Sequence, residues 1–150
     1  MAYKGFFKPQ RPEKYRGNPT QIVYRSLWEL RMMKHFDDHQ DVVEWSSEET
    51  RIPYRSKITN RRHTYYPDFF VKFKDKQGKI KTMIIEVKPF AQTKPPKVCN
   101  KKSKKYIREV VTYGTNISKW EAARVYCQER NWDFIIMTEN EIYGPNFNGR

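Results

Sequence analysis

Cysteine is scarce in this chain, with two among 150 residues. Cys99 lies in a lysine-rich stretch and Cys127 in a helical pattern, so they supply neither a disulfide framework nor a four-ligand zinc site. Both are expected as free thiols, Cys127 in the core. Long apolar runs are missing too. The opening Met1-Ala2-Tyr3-Lys4-Gly5-Phe6-Phe7 lacks the extended apolar stretch of a secretion signal, and no later run approaches a membrane-spanning length. There is no basic amphipathic helix with a continuous apolar face, no lipidation motif and no internal repeat. These absences argue against a membrane partner and for a cytoplasmic location, and no small-molecule organic cofactor is expected.

Acidic residues are also in deficit, 17 Asp and Glu against 30 Lys and Arg, a formal net charge of +13. A positive field of that size favours a polyanionic partner and fast electrostatic association with it. Double-stranded DNA is the expected partner. The hydrophobic share of 37%, with 15% aromatic residues, suits a folded core, and the length suits one domain.

Along the chain, residues 1–17 mix basic residues, Pro, Gly and aromatics without period. They read as a basic N-terminal arm packing locally through Tyr3, Phe6, Phe7 and Tyr15, ahead of a domain over residues 18–150. Asn18-Pro19 offers a helix cap and a first-turn proline, and Val23, Leu27 and Leu30 recur at helical spacing, predicting a helix from about Pro19 to about Phe36. Short strands are expected at Val42–Trp45, Arg51–Tyr54 and Thr64–Phe73. Lys74–Lys79 makes a hairpin loop, and Thr82–Lys88 is a further strand that Pro89 ends. After a Pro- and Lys-rich connection over 95–105 and a short helix around Tyr106–Val111, Ser118-Lys119-Trp120-Glu121 has the form of a capping box. A second helix is expected to begin there, followed by a last strand at Trp132–Thr138. The expected fold is an α/β domain with a mixed central sheet flanked by helices, its core in the order α-β-β-β-α-β.

Asp68 leads one β-rich run and Glu86 ends the next, so a hairpin turning at Gly78 brings the two carboxylates together on adjacent strands. Lys88 stands two residues beyond Glu86, which puts both side chains on one face of the sheet, with Val87 facing the other way. Two carboxylates can share a Mg²⁺ or Mn²⁺ ion, and the ammonium beside them can orient a water or stabilise charge on a phosphate. Hydrolysis of a phosphodiester is the chemistry that needs this set.

Three segments carry a family resemblance: Arg25-Ser26-Leu27-Trp28-Glu29, Tyr65-Tyr66-Pro67-Asp68-Phe69 and Ile85-Glu86-Val87-Lys88-Pro89. Together they resemble the pattern of the PD-(D/E)XK nucleases, above all the branch holding the phage junction-resolving endonuclease and the cutting subunit of Tn7-type transposition. The resemblance implies a single restriction-endonuclease-like domain and adds Glu29, on the first helix, to the metal site of Asp68 and Glu86, with Lys88 completing the catalytic set. A second resemblance spans nearly the whole chain. Lys14-Tyr15-Arg16-Gly17-Asn18-Pro19, Trp45-Ser46-Ser47-Glu48, Ile52-Pro53-Tyr54 and Asn116-Ile117-Ser118-Lys119-Trp120-Glu121-Ala122-Ala123 are similar to the head completion proteins of T4-like phages. That family implies a metal-dependent endo- or exodeoxyribonuclease acting on packaged DNA as head joins tail, with phage head, neck and tail proteins as partners. It places the protein in the cytoplasm of the infected bacterium, with retention in the virion at the head–tail junction as a further expectation. The alternatives are a non-catalytic DNA-binding plug at the phage neck and a junction-resolving endonuclease.

Other candidates are basic. Lys119, at the expected start of the second helix, is a candidate phosphate contact both by the resemblance and because helix N-termini favour anions. Arg51, Arg55, Lys57, Arg61, Arg62 and His63 crowd the approach to Asp68. Lys94, Lys97, Lys101, Lys102, Lys104 and Lys105 follow Lys88. If both groups line a groove they form a track for the DNA backbone, with Arg61, Arg62, His63, Lys94 and Lys97 as its nearest members. His35 and His39 have the spacing of a metal pair but lack a third ligand and read as a polar helix end. Trp28, Trp45 and Trp132 are expected to fill the core or wall the site.

Overall fold

A computed structural model describes residues 4–144. In chain order the elements are β1 (Gly5–Phe7), β2 (Ile22–Tyr24), α1 (Leu27–Asp38), β3 (Val42–Ser47), β4 (Ile52–Arg55), β5 (Arg62–Tyr65), β6 (Phe69–Lys74), β7 (Ile80–Val87), α2 (Lys104–Arg130), β8 (Asp133–Met137) and α3 (Glu139–Ile142). Short 3-10 turns lie at Pro12–Lys14 and Phe90–Thr93.

The β-branched and aromatic runs that make strands favourable assemble into one four-stranded sheet, ordered β3-β6-β7-β8. The β3–β6 and β6–β7 pairs are antiparallel, whereas β8 joins β7 in parallel after the α2 crossover. Within the main sheet and its two large helices, the order α1, β3, β6, β7, α2, β8 matches the expected α-β-β-β-α-β, while β4 and β5, which fall between β3 and β6, form a separate two-stranded sheet. Side chains alternate across the sheet: Phe69, Val71 and Ile85 pack with Met32, Met33 and Phe36 of α1, while Phe70 and Ile84 pack with Cys127 of α2. Cys127 is buried and Cys99 exposed, both as free thiols. At the β6–β7 turn, Gly78 takes a φ of 79°, and its N–H bonds the Asp75 carbonyl at 3.0 Å, a conformation that glycine adopts without steric cost.

Several expectations give way to the fold. The first helix begins at Leu27, not near Pro19: Ser26 caps it by accepting the Glu29 N–H at 3.2 Å. Asn18 instead closes a local turn onto Thr20, and β-branched Ile22 and Val23 are drawn into pairing with β1. That pairing ties residues on both sides of the expected boundary at 17 together, and Phe7 and Tyr15 lie in the same core as α1. Lys14 donates to the carbonyls of Phe36, Asp37 and His39, placing a cation at the C-terminal end of α1 where the helix dipole favours one. Phe6 is exposed, and Tyr3 lies outside the described residues.

The predicted strand over Thr64–Phe73 is two strands, because Pro67 has no N–H to continue a ladder. The chain leaves β5, which pairs only with β4, and enters the main sheet as β6. The second helix does not start at Ser118. One helix of 27 residues runs unbroken from Lys104, capped by Ser103 accepting the Tyr106 N–H, and it absorbs the predicted short helix. Ser118 sits buried in its middle, donating to the Gly114 carbonyl at 3.1 Å and accepting the Lys57 N–H at 3.0 Å. Its resemblance to a cap is overridden by this tertiary partner on the β4–β5 hairpin. Gly114 serves the same seam: a Cβ there would stand 2.7 Å from the end of the Ile58 side chain.

His35 and His39 close the end of α1, where the His39 ring accepts the Asp41 N–H. Trp45 is fully buried, and Trp28 and Trp132 are partly buried against the core clusters.

Candidate active site

The site forms where β6 begins and β7 ends. Phe69 pairs with Ile85, so Asp68 and Glu86 are the next opposed positions on these two strands. Asp68 is anchored from both sides. Its Oδ2 accepts the Val87 N–H at 2.7 Å, and its carbonyl accepts the Glu48 N–H at 3.0 Å. Glu86, only 6% exposed, accepts the Tyr65 hydroxyl on Oε1 at 2.5 Å and faces the Lys88 ammonium with Oε2 at 3.6 Å. Lys88 continues the parallel pairing beyond the strand through its N–H to Met137. Val87 packs toward the α1 core while Glu86 and Lys88 face the α2 side, as period-2 geometry requires.

Glu29 reaches this point from the first turn of α1, its Oε1 accepting the Arg25 N–H at 3.2 Å. Its distance to the other carboxylates is short enough for their charges to act on one another. Burial, and next the Glu86 charge, hold the Asp68 carboxyl well above the usual carboxylate range, against the Val87 N–H and Lys88. Burial also raises Glu86, opposed by the Tyr65 hydroxyl, Lys88 and Lys119. Glu29 is raised chiefly by burial, with Glu48 and Glu86 adding to it. Desolvated carboxylates that repel one another favour a neutralising cation.

That donor set, all hard carboxylate oxygens, matches the ligands preferred by Mg²⁺ or Mn²⁺. Among the described residues no three Asp, Glu, His or Cys side chains already stand as a complete ligand group. The fit therefore rests on the donor chemistry and the mutual repulsion of Glu29, Asp68 and Glu86.

Lys119 belongs to this neighbourhood for a different reason than its sequence context suggests. It lies in the middle of α2, not at a helix N-terminus, so no helix-end field assists it. The continuous helix instead carries it to 5.7 Å above the Tyr65 ring, within electrostatic reach of Glu86.

The other basic candidates flank the centre. Arg62 and His63 lie on β5, which leads into Tyr65, and Arg61 precedes them in the hairpin loop; all three are exposed. The His63 ring stacks on Tyr54 and faces the Thr59 hydroxyl. Lys57 is engaged in an ion pair with Glu121 at 2.8 Å. Beyond Lys88, the Lys94 ammonium rests over the Phe90 ring, and Lys97 is exposed. Lys94, Lys105 and Arg108 share the wall of a cleft of about 400 Å³ between the Phe90–Thr93 turn and α2.

Three contributors escape sequence reasoning. Tyr65, the hydroxyl on Glu86, and the Arg25–Glu48 ion pair beside Glu29 both join residues more than twenty positions apart. Arg25, Glu48 and Tyr65 all fall within the motif segments, yet no spacing rule distinguishes them there.

Residues 39–139, which include every main-sheet strand, match the family described as TnsA-like endonuclease N terminal. The chain is also 33% identical, over 99% of its own length and 99% of the relative's, to the protein named head completion nuclease of Enterobacteria phage T4.

Proposed function

Because the chain belongs to the TnsA-like endonuclease family, we propose that it is a metal-dependent DNA nuclease that hydrolyses phosphodiester bonds. The observation that carries this reading is the meeting of Asp68 and Glu86 across β6 and β7, with Lys88 at 3.6 Å from Glu86. Asp68, Glu86 and Glu29 would hold Mg²⁺ or Mn²⁺, which when bound would supply charge against the scissile phosphate and ease deprotonation of water. The protein's own residues do the rest. The Val87 N–H and the Tyr65 hydroxyl each fix one oxygen of the two central carboxylates, leaving the other oxygen of each to turn toward the site. Lys88 orients the attacking water and balances phosphate charge. Lys119 adds a second positive charge on the α2 side. Arg61, Arg62, His63, Lys94 and Lys97 hold the duplex by its backbone, which steers binding without reading sequence.

The name of the phage T4 relative supports a place for this activity in head completion. The substrate is then packaged phage DNA, cut as head is joined to tail in the infected cell, with head, neck and tail proteins as partners. Among the described residues no helix is long and apolar enough to cross a membrane.

Cleavage of linear and supercoiled DNA with Mg²⁺, with Mn²⁺ and with chelator tests the proposal in the native chain, Glu86→Ala and Lys88→Ala. Metal-dependent cutting that both substitutions abolish supports it. Intact DNA binding without cutting by any form would instead make the protein a structural plug at the neck.

A further inference from the structure

Arg25 stands just before the Ser26 cap of α1, and its guanidinium meets Glu48 at two points, Nε to Oε1 at 3.1 Å and Nη2 to Oε2 at 3.2 Å. Both residues are tied by main chain to the carboxylate centre. The Arg25 N–H bonds Glu29, and the Glu48 N–H bonds the Asp68 carbonyl. The charges of Glu29 and Asp68 act on the guanidinium as well.

Two features of this pair go unexplained by folding alone. The Arg25 side chain is 53% exposed and that of Glu48 34%, and an ion pair so open to water contributes little to stability. Glu48 also holds a φ of 56°, the left-handed region that disfavours a residue other than glycine, and such strain collects at functional sites. A strained backbone thus supports a carboxylate that presents a forked cation, partly open to solvent, beside buried carboxylates.

We propose that Arg25 is a phosphodiester-binding catalytic residue of this same centre and that Glu48 is the residue that positions it. A guanidinium receives two phosphate oxygens in the same forked geometry in which it receives a carboxylate. DNA entering the site exchanges one anion for another at Arg25: the phosphate takes the place of the Glu48 carboxylate. The catalytic part of this assignment rests on the nuclease reading; the phosphate-binding part does not.

Arg25→Gln, Arg25→Lys and Glu48→Gln in the full chain separate the possibilities. Three quantities are measured: the single-turnover cleavage rate with Mg²⁺, the affinity for a short duplex in chelator across a salt series, and thermal unfolding. Arg25→Gln is expected to slow cleavage about 100-fold and to flatten the dependence of log affinity on log salt by about 0.9, one phosphate contact, while melting near the native temperature. Arg25→Lys restores the salt slope but only part of the rate, because the fork is lost. Glu48→Gln leaves the slope intact and slows cleavage less than Arg25→Gln does. A folded Arg25→Gln protein with native rate and slope overturns the assignment. A slowed variant with an unchanged slope also overturns it, reducing the pair to a structural tie. If the native chain fails to cut with either metal, the nuclease reading fails separately, and the salt slope alone decides whether Arg25 binds phosphate.

Discussion

The Tyr65 hydroxyl donates to Oε1 of Glu86, joining the base of the β4–β5 hairpin to the end of β7. Both residues are buried, at 3% and 6% exposure, and Tyr65 packs with Ile52, Trp120 and Ala123 between the hairpin and α2. The hairpin that carries Arg62 and His63 is thereby coupled to the carboxylate centre.

Tyr65→Phe removes only that hydroxyl and leaves Glu86 with a buried oxygen lacking its donor. The loss is expected to be about 1–3 kcal/mol of stability, read by urea unfolding, together with slower cleavage at unchanged DNA affinity. A variant with native stability and native rate would show that the bond neither supports the fold nor orients Glu86.

Asp68→Asn is expected to stabilise the protein while abolishing cleavage. Burial holds the Asp68 carboxyl well above its ordinary value in the folded chain and raises Glu86 and Glu29, whereas unfolded carboxyls titrate at about 4. Between those values the folded chain holds more protons, so unfolding free energy falls as pH rises through the raised folded values. Their charges therefore cost stability near neutrality, and the cost disappears as pH falls toward about 4. In metal-free buffer the variant should melt above the native chain at about pH 7, with the gain shrinking as pH is lowered toward about 4. Equal melting at neutral pH would contradict the burial argument.

Protons and a divalent cation compete for the same carboxylates. Raising Mg²⁺ from limiting to saturating should move the acidic limb of the cleavage profile to lower pH. Lys88, whose charge favours the ionised form of both Asp68 and Glu86, adds to this; any residual activity of Lys88→Ala should have its acidic limb at higher pH. An acidic limb unmoved by Mg²⁺ would place the ion elsewhere.

Ser118 and Lys57 offer a contrast along the seam between hairpin and helix. Ser118→Ala leaves the Lys57 N–H without its acceptor and should cost on the order of 1 kcal/mol or more, with faster amide exchange in β4 and β5. Lys57→Ala keeps that N–H and loses only an exposed ion pair with Glu121, so its cost should stay below about 1 kcal/mol. The reverse ranking would locate the docking in charge instead of the buried hydroxyl.

The meeting of Asp68, Glu86 and Lys88 was legible because it depends on short-range rules: a tight turn at Gly78 and a side-chain period of two along β7. The helix starts were harder. Asn18-Pro19 and Ser118-Lys119-Trp120-Glu121 both have the chemistry of a cap, but Ile22 and Val23 pair with β1, and Ser118 is claimed by Lys57 of the hairpin. Lys119 was placed at a helix N-terminus, which the fold does not supply. Its place near Glu86 comes from the unbroken course of α2, whose true cap, Ser103, lies in a lysine-rich stretch that reads as a linker.

By itself the sequence determined the basic charge, the order of the main-sheet elements and the Asp68, Glu86 and Lys88 apposition, all set by composition or by neighbours within a strand and its hairpin. Only the tertiary structure decided that Tyr65 holds Glu86, that Arg25 meets Glu48 beside Glu29, and that Lys119 lies over the Tyr65 ring near Glu86. Those contacts join separate elements, and their geometry is settled by how α1, α2 and the β4–β5 hairpin pack around the sheet, which no local pattern encodes.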